Sequence, residues 1–412
     1  MTAKPATPVL PREVSLLRIV AQGLVGATAA PSAAEAVRRQ LAIQGQQVSA
    51  VPHALVVRVA GATGSDVAAA FARGDLVRSW PMRGTVHITT AADHHWLRVA
   101  LMHRLDAWVR RSEAELGISQ ALCEHAAEIA LAAIRERGPL PRAELLDAWA
   151  QAGLMAFAAG KDVSAYRRRH LLVRLQREGV LVQGPRRGNE HLVVDAAPFP
   201  SADSGPAGAG VARGQPGHTA ALAEIARRYA TSHGPISAGD LARWATLPKR
   251  EAARALENAV EETTATSYRA DTARARVPSV RARADGGVRG RLRTLGVGES
   301  APRTGLLYLR ADLPELLEAA RRQALAARFL ASFDELHVGY KDRSCLTGEA
   351  GERLICPAAN GMFRPLLVDR GRLVGVRPVG EGVLWLDGAA PSARVERDIT
   401  RAVAAVEKRL AR

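Results

Sequence analysis

The chain has 412 residues, 47% of them hydrophobic, and carries 57 Lys and Arg against 41 Asp and Glu, a formal net charge of +16. That length calls for three or four globular modules, and so basic a surface calls for a polyanionic partner, with nucleic acid ahead of an anionic membrane. No run approaches about 18 uninterrupted apolar residues, and Lys4, Arg12, Glu13 and Arg18 break up the first thirty positions, which argues against a membrane span or signal peptide and leads to the expectation of a cytoplasmic protein.

Helical periodicity over about 33–42, 49–59 and 65–73 is followed by two short apolar runs, Leu76–Arg78 and Thr85–Ile88, around a turn at Pro81–Gly84. Helices followed by a hairpin are the order of a winged helix, and residues 1–128 are assigned as the first. His94, His95 and His103 fall on the next helical stretch with no carboxylate or Cys at usable spacing, so ordinary packing roles are expected and no metal or other cofactor.

A second copy of the pattern is expected over 129–200. Gly138-Pro139 breaks the chain ahead of Arg142, Glu144, Leu145 and Trp149; a basic amphipathic helix begins at Tyr166; and Val180–Val182 and His191–Val194 flank a turn with Arg186 and Arg187. Residues 201–217, rich in Gly and Pro, read as a linker; Gly208, Gly210 and Gly214 lack the spacing of a dinucleotide loop. Gly234-Pro235, followed by Ser237, Asp240, Leu241 and Trp244, repeats the earlier break and opens a third winged helix over 218–305. Within it, nine arginines between 262 and 304 with few apolar neighbours suggest an irregular excursion. From 306 to 412 the period becomes that of strands, with Pro365–Asp369, Arg372–Val376 and Val383–Leu386 separated by Gly turns, which predicts a small β-barrel and a terminal helix. The expected class is α+β, mainly α.

Cys123, Cys345 and Cys356 are scattered, so neither a disulfide framework nor a Cys-x-x-Cys zinc site follows from them. No nucleophile elbow, phosphate loop or His-Glu-x-x-His is present. Gln44 and Gln46, at spacing two, would point the same way on an extended segment and bring two amides to one place, although glutamines after an amphipathic helix also commonly cap it.

Four words in order, Ile43–Gln47, Ser79–His87, Phe333–Arg343 and Gly361–Pro365, resemble the winged-helix DNA glycosylases of the AlkZ type, related to AlkX/YcaQ, over about residues 15–390. The resemblance implies three tandem winged helices and a β-barrel forming a C-shaped clamp on double-stranded DNA. It implies a monofunctional glycosylase that removes N7-alkylated purines, including bulky adducts or interstrand crosslinks, and leaves an abasic site. The family's Gln-x-Gln signature falls on Gln44 and Gln46, which become the candidate catalytic pair; Gly45 stands where the pattern has a small apolar side chain. Arg83 and His87 at the first wing, Arg186 and Arg187 at the second, and Lys341, Arg343 and Arg364 in the barrel words are the candidate DNA contacts. Trp80 and Met82 are expected as core anchors. Asp334 is expected as a helix cap or strand-end partner, with a second catalytic acid as the alternative. The few lysines stand away from the glutamines, so lyase chemistry is not expected, and the protein is expected to act as a monomer. The competing reading is a non-enzymatic winged-helix DNA-binding protein or transcriptional regulator, which would prefer one sequence where a repair enzyme binds undamaged duplexes alike.

Overall fold

A computed structural model describes residues 9–154, 164–261, 266–270, 292–297 and 306–412. The chain forms two compact units built from discontinuous segments, one of residues 41–49 and 65–225, the other of residues 1–40, 50–64 and 226–412.

The first unit is organised on an antiparallel sheet of β1 (Ile43–Gln44), β2 (Leu76–Met82), β3 (Thr85–Thr90), β4 (Leu181–Arg187) and β5 (Glu190–Asp195), in the order β1-β3-β2-β4-β5. The two hairpins expected as separate wings therefore share one sheet, joined where Arg78 stands opposite Gln183. The β2–β3 turn, Arg83-Gly84, has both residues at positive φ, +58° and +66°, the tight hairpin geometry that follows the strand twist. Both hairpins are bulged in the same way. Ser79 pairs with His87 and Met82 with Thr85, while Gln183 pairs with Val193 and Arg186 with His191, so each leading strand carries one extra residue. Pro81 and Pro185 sit in these bulges, where a residue without an N–H breaks no ladder.

Behind the sheet, helices Gln120–Arg137, Arg142–Gln151 and Ser164–Arg177 bury Ile118, Ala126, Ala130, Leu145, Trp149, Leu171 and Leu175 against Leu181 and Val193. Gly138 caps the first of these helices at φ +77°, which explains the Gly-Pro break. In the other unit the equivalent break leads into Ala238–Ala245, opened by a reciprocal capping box between Ser237 and Asp240. Trp149 and Trp244, the matched tryptophans of the two breaks, are both core residues.

In the second unit, β6 (Thr266–Ala270), β7 (Leu292–Val297) and β8 (Leu306–Arg310) form a sheet in which β6 and β7 run parallel and β7 and β8 antiparallel. Two stretches of the expected Arg-rich excursion are thus strands, and the rest of it lies outside the described residues. The C-terminal β-region differs from the expected barrel. β9 (Arg328–Leu330), β10 (Leu366–Asp369), β11 (Arg372–Val376) and β12 (Leu384–Trp385) make an open antiparallel sheet in the order β12-β11-β10-β9, with no closure among the described residues. One face carries Phe329 and Leu367 against Val395, Ile399, Val403 and Val406 of helix Ala393–Leu410. The other carries Leu330, Leu366, Val368, Leu373 and Val376 against helices Arg12–Ala21 and Leu313–Ala324. With both faces covered by helices, the sheet has no exposed apolar face to bury by closing on itself. None of the described helices is long and apolar enough to cross a membrane.

Candidate active site

Between the two bulged hairpins and helix Ser164–Arg177 lies a cavity of about 310 Å³ whose lining includes Gln46, Arg78, Trp80, Arg142, Arg169, Gln176, Gln183, Glu190 and His191. β1 ends at Gln44, and the next residue still donates its backbone N–H to Val86 O on β3 at 2.9 Å. Of the two candidate glutamines, Gln46 is the one among the residues lining the cavity. Gln46 is exposed and lines the cavity, whereas Gln44 is 8% exposed, lies opposite His87 and turns its Oε1 onto the Gly45 N–H at 2.9 Å. Gly45 brings this loop down on β3: a Cβ there would come within 3.0 Å of Ile88 Cδ1 and 3.3 Å of the His87 carbonyl carbon.

Arg78 holds the loop from below. Its Nε donates to Gly45 O at 2.8 Å and its Nη2 to Gln46 O at 3.3 Å, while its Nη1 donates to Gln183 Oε1. Gln183 Nε2 donates in turn to Gln176 Oε1 at 3.1 Å, so a run of hydrogen bonds connects the helix to the Gln46 loop. Burial lowers the Arg78 pKa to about 10, which leaves it charged at neutral pH.

The other expected contacts divide. Arg83, half-buried, occupies the β2–β3 turn. His87 is fully buried, with its Nδ1 on Thr85 O at 3.0 Å, so it belongs to the sheet and not to the surface in this conformation. Arg186 and Arg187 are exposed at the β4–β5 tip; Arg186 Nε donates to Gly188 O at 2.7 Å, and Arg187 Nη2 stands 3.7 Å from Glu144. Lys341, Arg343 and Arg364 lie in the second unit. Lys341 is exposed, Arg343 Nε pairs with Glu352 at 3.1 Å, and Arg364 Nη1 donates to Leu354 O at 3.3 Å.

Met82 is core, as expected; Trp80 is half-buried and lines the cavity, because the bulge at Trp80-Pro81 takes it out of the regular alternation. The signal was present, since a proline inside a strand pattern marks a bulge. Gln176, Gln183 and Glu190, the one carboxylate among the described lining residues, carried no comparable mark. His94 is fully buried, His95 Nε2 meets Ala196 O at 3.1 Å, and the His103 ring packs edge-on to His218. Among the described residues no group of three or more His, Cys, Asp or Glu could hold a metal.

The word Phe333–Arg343 proves to build a core in the second unit. Asp334, 1% exposed, caps helix Glu335–Val338 through the Leu336 N–H and takes Arg58 in a two-pronged pair at 2.8 and 2.9 Å. Arg58 Nη2 also donates to Gln22 Oε1, Gln22 Nε2 donates to the Tyr340 hydroxyl, and that hydroxyl donates to His233 O. Arg18 covers the Tyr340 ring at 3.7 Å.

His191 adds a pH dependence. Burial, with repulsion from Arg78 and Arg186, holds its pKa down to about 4 despite its hydrogen bond to Gly184 O, and burial holds His94 well below its ordinary range. An unfolded histidine titrates near 6.5, so between about pH 6.5 and 4 the unfolded chain binds more protons than the folded one. Stability from these residues is therefore complete above pH 6.5 and falls as pH is lowered towards 4. Urea unfolding should show a lower midpoint at pH 5 than at pH 7.5, and a smaller difference in His191→Gln; equal midpoints at the two pH values would refute the assignment.

Over residues 37–412 the chain matches the family model described as DNA glycosylase AlkZ-like. Among solved structures, the DNA glycosylase AlkZ of Streptomyces sahachiroi aligns with 97% of this chain and 97% of its own, at 19% identity and a TM-score of 0.63, a likeness of fold. No curated protein sequence matches the chain.

Proposed function

The chain belongs to the AlkZ-like DNA glycosylase family, and from that premise we propose that it hydrolyses the N-glycosidic bond of N7-alkylated purines in double-stranded DNA, bulky adducts and interstrand crosslinks included. The observation that carries the reading is Gln46 on the wall of a cavity that Gln176, Gln183 and Glu190 also line, with its loop fixed by Arg78. Alkylation at N7 places a positive charge on the purine, so the base departs as a neutral molecule with the electron pair of the C1′–N9 bond and needs no acid catalyst. Water adds its oxygen to C1′ and gives up a proton, leaving an abasic site. The Gln46 amide oxygen orients that water and faces the cationic sugar as the bond breaks. Gln44 is a positioning residue, acting through the Gly45 N–H that its side chain shares with Val86 O.

Arg142, Arg169, Arg186 and Arg187, all exposed, supply phosphate contacts. Duplex affinity should fall steeply with salt and be nearly independent of sequence, and Arg186→Ala or Arg187→Ala should each lower the slope of log K against log salt by about 1. Filter binding or anisotropy between low and physiological salt checks this, and a flat dependence would count against the interface. The activity itself is tested with a duplex carrying one N7-methylguanine or a bulkier N7 adduct, followed by alkaline cleavage at abasic sites. Strand scission requires prior base loss, so no scission above the spontaneous rate with any such lesion would refute the proposal.

A further inference from the structure

Beside the Gln46 cavity is a second one of about 270 Å³, walled by Trp80, Trp108, Arg169, His170 and Arg177. The two share Trp80, Arg169 and Val173, so Trp80, placed by its bulge, is a common partition between them. The far wall is layered: the Arg177 guanidinium lies 4.1 Å from the centroid of the Trp108 ring, and the His170 ring lies nearly parallel to that ring, 5.4 Å away at 12°. No carboxylate is among the described lining residues. Two indoles set beside guanidinium groups make a slot for a flat, electron-rich ring, because indole faces stack on arenes and guanidinium planes are attracted to their π-faces.

We infer that this second cavity is a specificity subsite for an aromatic group carried on the alkyl substituent of the lesion, with the purine itself at the Gln46 cavity. The inference rests on the glycosylase reading above for the identity of the purine. A methyl substituent is too short to enter the subsite, whereas an arylmethyl group at N7 extends past Trp80 into it. Trp80 touches both parts of such a lesion; Trp108 touches only the arene.

The test compares duplexes containing N7-methylguanine and N7-(4-methoxybenzyl)guanine in the same sequence, measuring both the single-turnover excision rate and the Kd for the full-length protein and for Trp108→Ala, Trp108→Leu and Trp108→Phe. The parent protein should favour the aryl lesion by roughly tenfold in rate, affinity or both, the size expected for one or two aromatic contacts. Trp108→Ala and Trp108→Leu should bring that ratio close to one, and Trp108→Phe should keep most of it. Leu retains an apolar wall, so its result separates the ring from its bulk and stands even if the Ala variant folds poorly. A parent ratio near one, or a ratio unchanged in both Trp108→Ala and Trp108→Leu, would overturn the subsite. If the parent protein excises neither lesion, the glycosylase reading fails, and the Kd ratio and its dependence on Trp108 alone decide the subsite.

Discussion

Gln46→Ala should slow single-turnover excision of N7-methylguanine by a hundredfold or more, on the order of the loss of one preorganised polar group at a developing charge, while Kd for the duplex changes little. The reason is geometric. Gln46 is exposed to the cavity and its backbone carbonyl is already held by Arg78, so removing the side chain leaves the loop in place and deletes only the amide. Gln46→Asp keeps a side-chain oxygen acceptor, one methylene shorter and negatively charged, and should keep activity. Gln44→Ala acts differently: it removes one of two acceptors of the buried Gly45 N–H, which keeps its bond to Val86 O at 2.9 Å, so its loss of rate should come with only a small fall in melting temperature. Full excision rates in Gln46→Ala would move the chemistry to another residue, with Glu190 the first to try.

Asp334→Ala should destabilise the protein by about 3–5 kcal/mol, because it leaves Arg58 as a charged group 1% exposed without its carboxylate. For a unit of this size that is a fall in Tm of roughly 10 °C. Arg58→Ala should cost a similar amount, and Arg58→Met combined with Asp334→Leu should recover much of the loss, since the desolvation penalty disappears with both charges. Excision per folded molecule should stay close to that of the parent protein in each variant. An Asp334→Asn protein with an unchanged Tm and no excision would reverse the assignment and make Asp334 a reaction carboxylate. The distinction matters because the same word, Phe333–Arg343, marks the family resemblance, and an acid in such a word invites a catalytic reading that the bidentate ion pair does not support.

The local elements and the family were legible in the linear chain. Helical and strand periods located the two hairpins and the terminal helix, the Gly-Pro breaks located helix boundaries, and four ordered words pointed to a glycosylase, a result that the family match over 37–412 bears out. These features depend on side-chain alternation and turn residues a few positions apart, which a linear reading captures. What those elements meet was set by packing between distant segments. That packing joined β2 to β4 through Arg78 and Gln183, buried His87, turned Trp80 into a cavity, set Gln46 on the wall of that cavity and left β9–β12 as an open sheet under helices. Each of these depends on partners distant in the chain: Arg78 lies far from Gln183, and Arg58 further still from Asp334. An alternating pattern states that one face of a strand is buried but not which strand or helix covers it, and that choice is made only when all the apolar faces are packed at once.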